Sequence, residues 1–315
     1  MLPLIDQERM PDKKAECPPP DGDQCPDGLA PDWVRHRLLG AGACGHVYLV
    51  SRDTNLAAMK VINQGRFALV TSRSDSHRRI EDEGTIHASL HHPNIVPLLA
   101  QEINDKAACL FMPLISGGNL LEAVFREGRL TEDNARRTAR AIAKALEYIH
   151  CMHVLHRDVK PENVLLTSQS AAEWTPLLAD FGLARVIPHD AAGMTYTGTP
   201  TYMAPEILRL RPVASGAKPI RGPYSASVDV WAFGVLVYIV LSGEPPFDLE
   251  SWMQKVPLAE YEFDSPVWED VDSRAISLVR AMIVVEPGAR ISTRQLLESA
   301  WLLDCEGRSR SRSPQ

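Results

Sequence analysis

The sequence predicts an α+β fold of two lobes, in which a small β-rich lobe is followed by a larger, mainly α-helical lobe. Strand-like runs rich in β-branched and aromatic residues are concentrated between residues 33 and 100. From about residue 119 onward, apolar residues recur at helical spacing instead. The chain has 315 residues, 45% of them hydrophobic, which is enough for one large domain or two small ones with a real core. We expect a cleft between the two lobes.

The predicted small lobe, at about residues 33–113, begins with three strand-like runs, "WVRHRLLG", "HVYLVSR" and "LAAMKVI". A helix is predicted after them over residues 76–90, "SHRRIEDEGTIHASL". In this stretch Ile80, Ile86 and Leu90 form a sparse apolar stripe at helical spacing.

The predicted large lobe, at about residues 116–303, is built mostly of helices. Residues 130–150 offer Thr131 as an N-cap, acids in the first turn, and then alanine, isoleucine and leucine at helical spacing. Residues 230–241, "VWAFGVLVYIVL", have the length of a buried core helix. A membrane span needs roughly 18–20 apolar residues, so we expect no contact with a membrane.

The two ends of the chain lack periodicity. Residues 1–32 are rich in proline, aspartate and glycine, and we predict a disordered leader there. Residues 304–315 include "GRSRSRSPQ", predicted as a disordered Arg/Ser tail. The folded domain is therefore predicted at residues 33–303.

Net charge and cysteine content indicate which classes of partner and which cellular compartment to expect. The net charge of −7 argues against nucleic acid as the main partner. An RNA-linked adaptor stays open only through the short Arg/Ser run, which also suits a phosphorylation target or a solvated tail. Six scattered cysteines without metal-type spacing indicate reduced thiols in a cytoplasmic or nuclear protein.

A glycine-rich loop follows the first strand-like run. Gly40, Gly42, Gly45 and Val47 fit the pattern G-x-G-x-x-G-x-V, in which the absence of Cβ atoms lets the backbone approach phosphates. A dinucleotide site would require a helix directly after the glycines. Strand-like residues follow them instead, which argues against that class of site.

Charged residues also lie at three places where apolar residues surround them. "LHRDVKPENVLL" (155–166) carries bases, acids and an amide between two apolar flanks. Lys60 lies in the apolar "LAAMKVI", where a buried ammonium needs a phosphate and a carboxylate as partners. Asp180 begins "DFG" after the apolar "TPLLA", a suitable position for a Mg²⁺ ligand.

Taken together and in this order, these motifs resemble the signature set of the eukaryotic protein kinases. The resemblance extends over roughly residues 33–303. It also includes "APE" with Glu206, the central-helix Asp229, and Arg290, which is expected to pair with Glu206. It implies the bilobal protein kinase fold.

The resemblance implies phosphoryl transfer from ATP to protein substrates, with Mg²⁺ as cofactor. Asp158 would orient the substrate hydroxyl, Lys160 would neutralise the transferring phosphate, and Asn163 and Asp180 would hold Mg²⁺. Glu83 would pair with Lys60, although Glu81 and Asp82 lie close by in sequence. The residues implied to contact the nucleotide are Gly40, Gly42, Gly45, Val47, Ala58, Lys60, Glu83, Met112, Pro113, Ile115, Leu165 and Asp180.

Met112 would be the gatekeeper of the adenine pocket, with the Pro113 carbonyl and the Ile115 N–H facing the base. Val47, Ala58 and Leu165 would form the apolar faces above and below the adenine ring.

Within the family, the chain resembles serine/threonine kinases of the calcium/calmodulin-dependent and checkpoint branch. Lys160 occupies the position expected of that class, and Thr199 would contact both Asp158 and Lys160. Asn119 and Ile239 replace acids that often contact a substrate arginine, and Glu162 alone keeps its charge. His87 takes a position usually held by leucine or methionine, where it could loosen the active arrangement or simply pack.

Arg157, beside the catalytic aspartate, implies control by phosphorylation of the activation loop. Among Thr195, Tyr196 and Thr197, spacing favours Thr195, modified by an upstream kinase or by trans-autophosphorylation. Asp190 could order the loop without modification. A pseudokinase scaffold is the alternative class, and it is disfavoured because the chain keeps all five residues of the set Lys60, Glu83, Asp158, Asn163 and Asp180.

Overall fold

The structure is a computed structural model that describes residues 29–42, 45–63, 83–104, 107–186, 198–210 and 225–304. The small lobe is a five-stranded antiparallel sheet in the order β1-β2-β3-β5-β4. Its strands are β1 (Val34–Gly42), β2 (Gly45–Arg52), β3 (Asn55–Asn63), β4 (Ala100–Ile103) and β5 (Ala107–Pro113). The three strands that the sequence predicts are confirmed.

The last two strands of this sheet were not predicted as strands. β5 is the apolar run "AACLFMP", whose first five residues are buried. An apolar run of this length does not distinguish a strand from a helix by periodicity. β4 is only four residues long and is held by pairing with β5, from Ala100 opposite Phe111 to Ile103 opposite Ala108.

One helix, α1, is described over residues 83–89. The first part of the predicted helix, residues 76–82 with Ile80, lies outside the described residues. Ile86 and Leu90 are buried, as their place in the apolar stripe predicts, although Leu90 lies just beyond the helix.

Two described residues that precede the predicted domain boundary at residue 33 pack on the small lobe. Leu29 and Ala30, assigned to a disordered leader, are buried against the small-lobe sheet with Tyr48 and Phe111. The Ala30 backbone N–H also donates to Glu102 Oε2 at 2.7 Å. The composition of residues 1–32 predicts disorder because a single leucine among polar residues gives no periodic signal. Leu29 is nevertheless buried, because it contacts the apolar surface of the sheet.

The large lobe is built around α2 (Leu120–Glu127), α3 (Glu132–Cys151) and α5 (Ser227–Ser242). Thr131 caps α3 through a hydrogen bond from the Asn134 N–H, as predicted. Every residue of α5 from Val228 to Leu241 is buried, so this helix is the centre of the lobe. Around these helices lie α4 (Pro205–Leu208), α6 (Trp252–Lys255), α7 (Ser273–Met282), α8 (Thr293–Leu297) and α9 (Ala300–Leu303).

Two short antiparallel strand pairs place the functional loops. β6 (Val154–Leu155) pairs with β9 (Arg185–Val186), and β7 (Val164–Leu166) pairs with β8 (Pro176–Leu178). Residues 156–163 connect β6 to β7, and residues 179–184 connect β8 to β9. Because the strands at both ends of these loops are paired, the two charged loops are brought side by side.

Among the described helices, none has both the length and the apolar character that a bilayer crossing requires.

Candidate active site

Asp229 anchors the loop of residues 156–163 from below. Its carboxylate accepts the backbone N–H of His156 at 2.9 Å and of Arg157 at 2.8 Å. His150 Nε2 lies 2.9 Å from the same carboxylate. Burial raises the pKa of Asp229, but the hydrogen bond and charge of His150 outweigh it and leave the pKa below its ordinary value. Asp229 therefore stays ionised and fixes the loop backbone.

The carboxylate of Asp158 is held on both oxygens. Oδ1 accepts the Thr199 hydroxyl at 2.8 Å and the Thr199 backbone N–H at 3.1 Å. Oδ2 accepts an Asn163 Nδ2 hydrogen at 2.9 Å and lies 2.8 Å from Lys160 Nζ. Lys160 Nζ also donates to Thr199 Oγ1 at 2.7 Å. The predicted contact of Thr199 with both Asp158 and Lys160 is present.

Lys60 joins the two lobes electrostatically. Its Nζ lies 2.6 Å from Glu83 Oε1 in the small lobe and 2.7 Å from Asp180 Oδ1 in the large lobe. Lys60 is only 5% exposed, so the two carboxylates compensate a cation that burial would otherwise disfavour. Glu83 is thus the carboxylate that pairs with Lys60, whereas Glu81 and Asp82 lie outside the described residues.

The pKa values of the two carboxylates shift in opposite directions, although the shared cation lowers both. Burial raises the pKa of Asp180, but the charge and hydrogen bond of Lys60, with the Gly182 N–H, hold it at about 2. For Glu83, burial dominates over the attraction of Lys60 and raises the pKa above its ordinary value. Asp180 is therefore the firmly ionised member, as a cation ligand must be.

The donor set around Asn163 and Asp180 suits a hard divalent cation. Asn163 Nδ2 donates to both the backbone oxygen and Oδ2 of Asp158, which leaves its amide oxygen directed elsewhere. Asp180 uses Oδ1 for Lys60 and for the Gly182 N–H. An amide oxygen and a carboxylate oxygen are ligands that Mg²⁺ prefers.

Strand register aligns the predicted nucleotide residues of the sheet. Val47 lies opposite Lys60, and Ala58 opposite Met112. Directly opposed residues share a face of the sheet, as do residues two apart on one strand. Val47, Ala58, Lys60 and Met112 therefore line the same face, which is the face towards Glu83 and Asp180.

The glycines close the end of this surface. Gly42 lies opposite Gly45, and Gly45 has a φ of +143°. A Cβ at this position would overlap the Val61 carbonyl oxygen, so only glycine fits. Gly40, opposite Val47, has open space around the position of a Cβ.

Residues from β5, from the connection that follows it and from β7 complete the apolar part of the site. Met112, Ile115 and Leu165 pack together against a small buried cluster of Val96, Leu177 and Ala179. Pro113 ends β5 opposite Ala57 and leads into this connection. Thr195, by contrast, lies outside the described residues, as do Asp190, Tyr196 and Thr197.

A cluster of three aromatic rings lies behind the site. The Phe181 ring lies 5.0 Å from the ring of His87 and 5.0 Å from the ring of His156. His87 Nε2 bonds the Val96 carbonyl at 2.7 Å, and His156 Nε2 bonds the Ala179 carbonyl at 3.0 Å. Both histidines are buried and hydrogen bonded, so His156 is a structural residue and His87 packs within this cluster.

Two residues next to the site were missed by the sequence reasoning. His150, the partner of Asp229, belongs to a helix whose periodicity gives no hint of a buried ion pair. Tyr202 is half-buried beside Glu162 and Asp158, and the burial of its hydroxyl raises the pKa of that group above the ordinary value. Its position two residues before "APE" is the only signal that could have marked it.

Comparison with known proteins supports the same reading of the geometry. Residues 33–302 match the protein kinase domain family. The probable serine/threonine-protein kinase fhkD of Dictyostelium discoideum is 34% identical over 274 residues, covering 85% of this chain and 36% of that protein. A probable myosin light chain kinase of the same organism is 32% identical, covering 87% of this chain and 84% of that protein.

A calcium/calmodulin-dependent protein kinase type 1 of Macrobrachium nipponense is 32% identical over 308 residues, covering 96% of this chain and 83% of that protein. The chain thus spans about a third of fhkD but most of the other two relatives. The match over residues 33–302 and these relatives place the chain in the protein kinase family, as a eukaryotic serine/threonine kinase close to the calcium/calmodulin-dependent branch.

Proposed function

We propose that this kinase transfers the γ-phosphate of ATP to serine and threonine hydroxyls of protein substrates, with Asp158 as the residue that orients the hydroxyl. The observation that carries the proposal is the fixed carboxylate of Asp158, whose two oxygens are held by Thr199, Asn163 and Lys160. A carboxylate fixed in this way presents one geometry to an incoming hydroxyl, and phosphoryl transfer depends mainly on such positioning.

The transfer exchanges one bond to phosphorus for another. The substrate oxygen forms a bond to the γ-phosphorus. The bond from that phosphorus to the oxygen that bridges the β- and γ-phosphorus atoms breaks, and ADP leaves with this oxygen. The proton of the hydroxyl passes towards Asp158. Lys160, 2.8 Å from Asp158, places a positive charge where the transferring phosphate gathers negative charge.

Different residues at the nucleotide end of the site would bind the phosphates, the adenine and Mg²⁺. Lys60, oriented by Glu83, would bind phosphate oxygens of ATP, and Val47, Ala58, Met112 and Leu165 would enclose the adenine. Asn163 and Asp180 would hold Mg²⁺, which neutralises phosphate charge when it is bound. The Pro113 carbonyl would accept a hydrogen bond from the edge of the adenine, and the Ile115 N–H would donate one to it.

Regulation would come from a phosphate on Thr195. Arg157 supports this assignment because its Nε donates to the Leu183 carbonyl at 2.5 Å, which places a guanidinium beside the segment that leads into the activation loop. A phosphate carries about −1.5 to −2 charges and can order a loop by binding such a group. The modifying enzyme would be an upstream kinase or a second copy of this kinase, acting in the cytoplasm or nucleus.

A degenerate peptide library with Mg²⁺ and ATP tests the proposal, using wild type, Asp180→Asn and the exposed control Asp32→Asn. We expect wild type and the control to label serine and threonine peptides, and Asp180→Asn to label none. Labelled tyrosine peptides alone would contradict the substrate class. No transfer by wild type, with Thr195 phosphorylated, would instead favour the scaffold class.

A further inference from the structure

A second cavity of about 330 Å³ opens in the large lobe, and its lining residues are separate from those of the active site. Its floor is apolar and consists of Leu130, Leu241 and Val271, all of them buried. Its remaining wall carries three carboxylates and one guanidinium, from Glu127, Glu132, Asp270 and Arg129. Because Arg136 lies 3.6 Å from Glu132, the acids that suit a ligand with positive charge and an apolar stem are Glu127 and Asp270.

Hydrogen bonds hold two of the charged wall residues in place, and the other two are exposed to solvent. Glu132 accepts the Asp272 N–H on Oε2 and the Trp301 indole N–H on Oε1, both at 3.0 Å. Arg129 Nη1 donates to the Val267 carbonyl at 3.4 Å. Glu127 and Asp270 are both exposed, and Arg126 lies 3.3 Å from Glu127 Oε1 in an exposed contact of little strength. The two exposed carboxylates are the natural contacts for a ligand.

The last described residue of the chain is anchored close to this cavity. The Asp304 backbone oxygen accepts a hydrogen bond from Arg136 Nη1 at 3.0 Å, and its Oδ2 accepts one from Arg274 Nη2 at 2.7 Å. Three residues earlier, Trp301 is bonded to Glu132 of the cavity wall. Asp304 therefore lies next to the cavity.

The sequence that follows is complementary to the cavity in charge and spacing. Residues 307–313 read "GRSRSRS", the Arg/Ser segment, with arginines at 308, 310 and 312. In an extended conformation alternate side chains point to the same side, so these three guanidinium groups would share one face. Four extended residues span at most about 14 Å, so Arg308 would stay within that distance of Asp304, and Trp301, three residues before Asp304, contacts the cavity wall through Glu132.

We propose that the Arg/Ser segment docks in this cavity, with its arginine face on Glu127 and Asp270 and the arginine stems on the apolar floor. Guanidinium groups match carboxylates in geometry and bury their stems on apolar surface, so both parts of the cavity are used. The segment then lies along the large lobe on the wall formed by α3 and the residues before α7. The proposal stands apart from the phosphotransfer mechanism.

Photo-crosslinking of the full chain tests this placement. With Arg312→p-benzoyl-phenylalanine, which would lie on the same face as Arg308 and Arg310 and leaves both in place, crosslinks mapped by mass spectrometry are expected on residues 127–132 and 267–272. Adding Glu127→Gln and Asp270→Asn should lower the yield about fivefold, because two ionic contacts are lost. Adding Glu173→Gln and Asp32→Asn, two exposed acids outside the cavity, should leave the yield unchanged.

Three results would overturn the proposal. Crosslinks mapped to another surface would show that the segment lies elsewhere. An equal yield in the cavity variant and its control would remove the role of the two carboxylates. Crosslinks that join two copies and increase with protein concentration would mean that a second chain, and not the chain's own segment, fills the cavity.

Discussion

Arg290 and Glu206, 84 residues apart in sequence, form an ion pair through two parallel hydrogen bonds, Nη1 to Oε1 at 2.6 Å and Nη2 to Oε2 at 2.7 Å. The Arg290 side chain is fully buried, its guanidinium lies 5.1 Å from the Trp231 ring, and its Nε donates to the Val284 carbonyl. This pair ties α4 to the body of the large lobe. Since Thr199 and Tyr202 directly precede α4, it also supports the substrate side of the site.

Removing one member of this pair should destabilise the protein strongly. Arg290→Ala leaves Glu206 as an uncompensated charge, and breaking a buried pair costs about 3–5 kcal/mol. Arg294→Ala is the matched control, because Arg294 is 81% exposed in its pair with Glu298 and should cost less than about 0.5 kcal/mol. Urea unfolding measures both, and similar free energies of unfolding for the two variants would contradict this role.

Glu83→Gln should lower kcat/KM on the order of 10²-fold, because Lys60 loses the carboxylate that orients it and misplacement of about 1 Å can have an effect of that size. Steady-state kinetics with a serine peptide measures it, with Glu173→Gln as the exposed control. Wild-type kcat/KM in the Glu83 variant would show that Asp180 alone orients Lys60.

Thr199 should act through its hydroxyl. Thr199→Val removes the group that donates to Asp158 and accepts from Lys160, so kcat should fall about 10- to 100-fold with little change in KM for ATP. Thr199→Ser keeps both contacts and should retain most of the activity. Equal losses in the valine and serine variants would point to the methyl group and overturn this assignment.

His87 should make folding stability depend on pH. Burial lowers the pKa of His87 below its ordinary value of 6.5, against the hydrogen bond to Val96, with Lys60, Asp180 and His156 as the nearby charged groups. Below that value the unfolded chain binds a proton that the folded chain does not. The free energy of unfolding therefore falls as pH drops from about 7.5 to 5.5.

His87→Leu should remove this contribution, which is at most about 1.4 kcal/mol per pH unit. Urea unfolding at several pH values compares wild type, His87→Leu and the exposed control His36→Gln. A pH dependence in the leucine variant as steep as that of wild type would mean that other groups cause it.

The motifs were predictable from the sequence because each of them is local. Fixed short spacings of residue types mark the glycine loop, residues 156–163 and the segment that begins at Asp180. The start of α3 is marked by its N-cap residue, Thr131. The ion pair of Lys60 with Glu83 was predicted only through the family resemblance, since no local pattern links residues 23 apart.

Other features depend on contacts that sequence patterns do not reveal. β4 exists because β5 offers a partner, and Leu29 is ordered because a hydrophobic surface lies under it. His150 meets Asp229 across 79 residues, where only the crossing of α3 and α5 brings them together. These are tertiary contacts, and composition or periodicity cannot report them.

In the proposed mechanism Asp158 positions the substrate hydroxyl and does not bind the nucleotide. The most direct test measures phosphate transfer and Mg·ATP affinity side by side for wild type and Asp158→Ala. We predict that transfer falls by about 10³-fold or more while the dissociation constant of Mg·ATP stays within about twofold. Transfer at the wild-type rate, or a parallel loss of nucleotide affinity, would contradict this assignment.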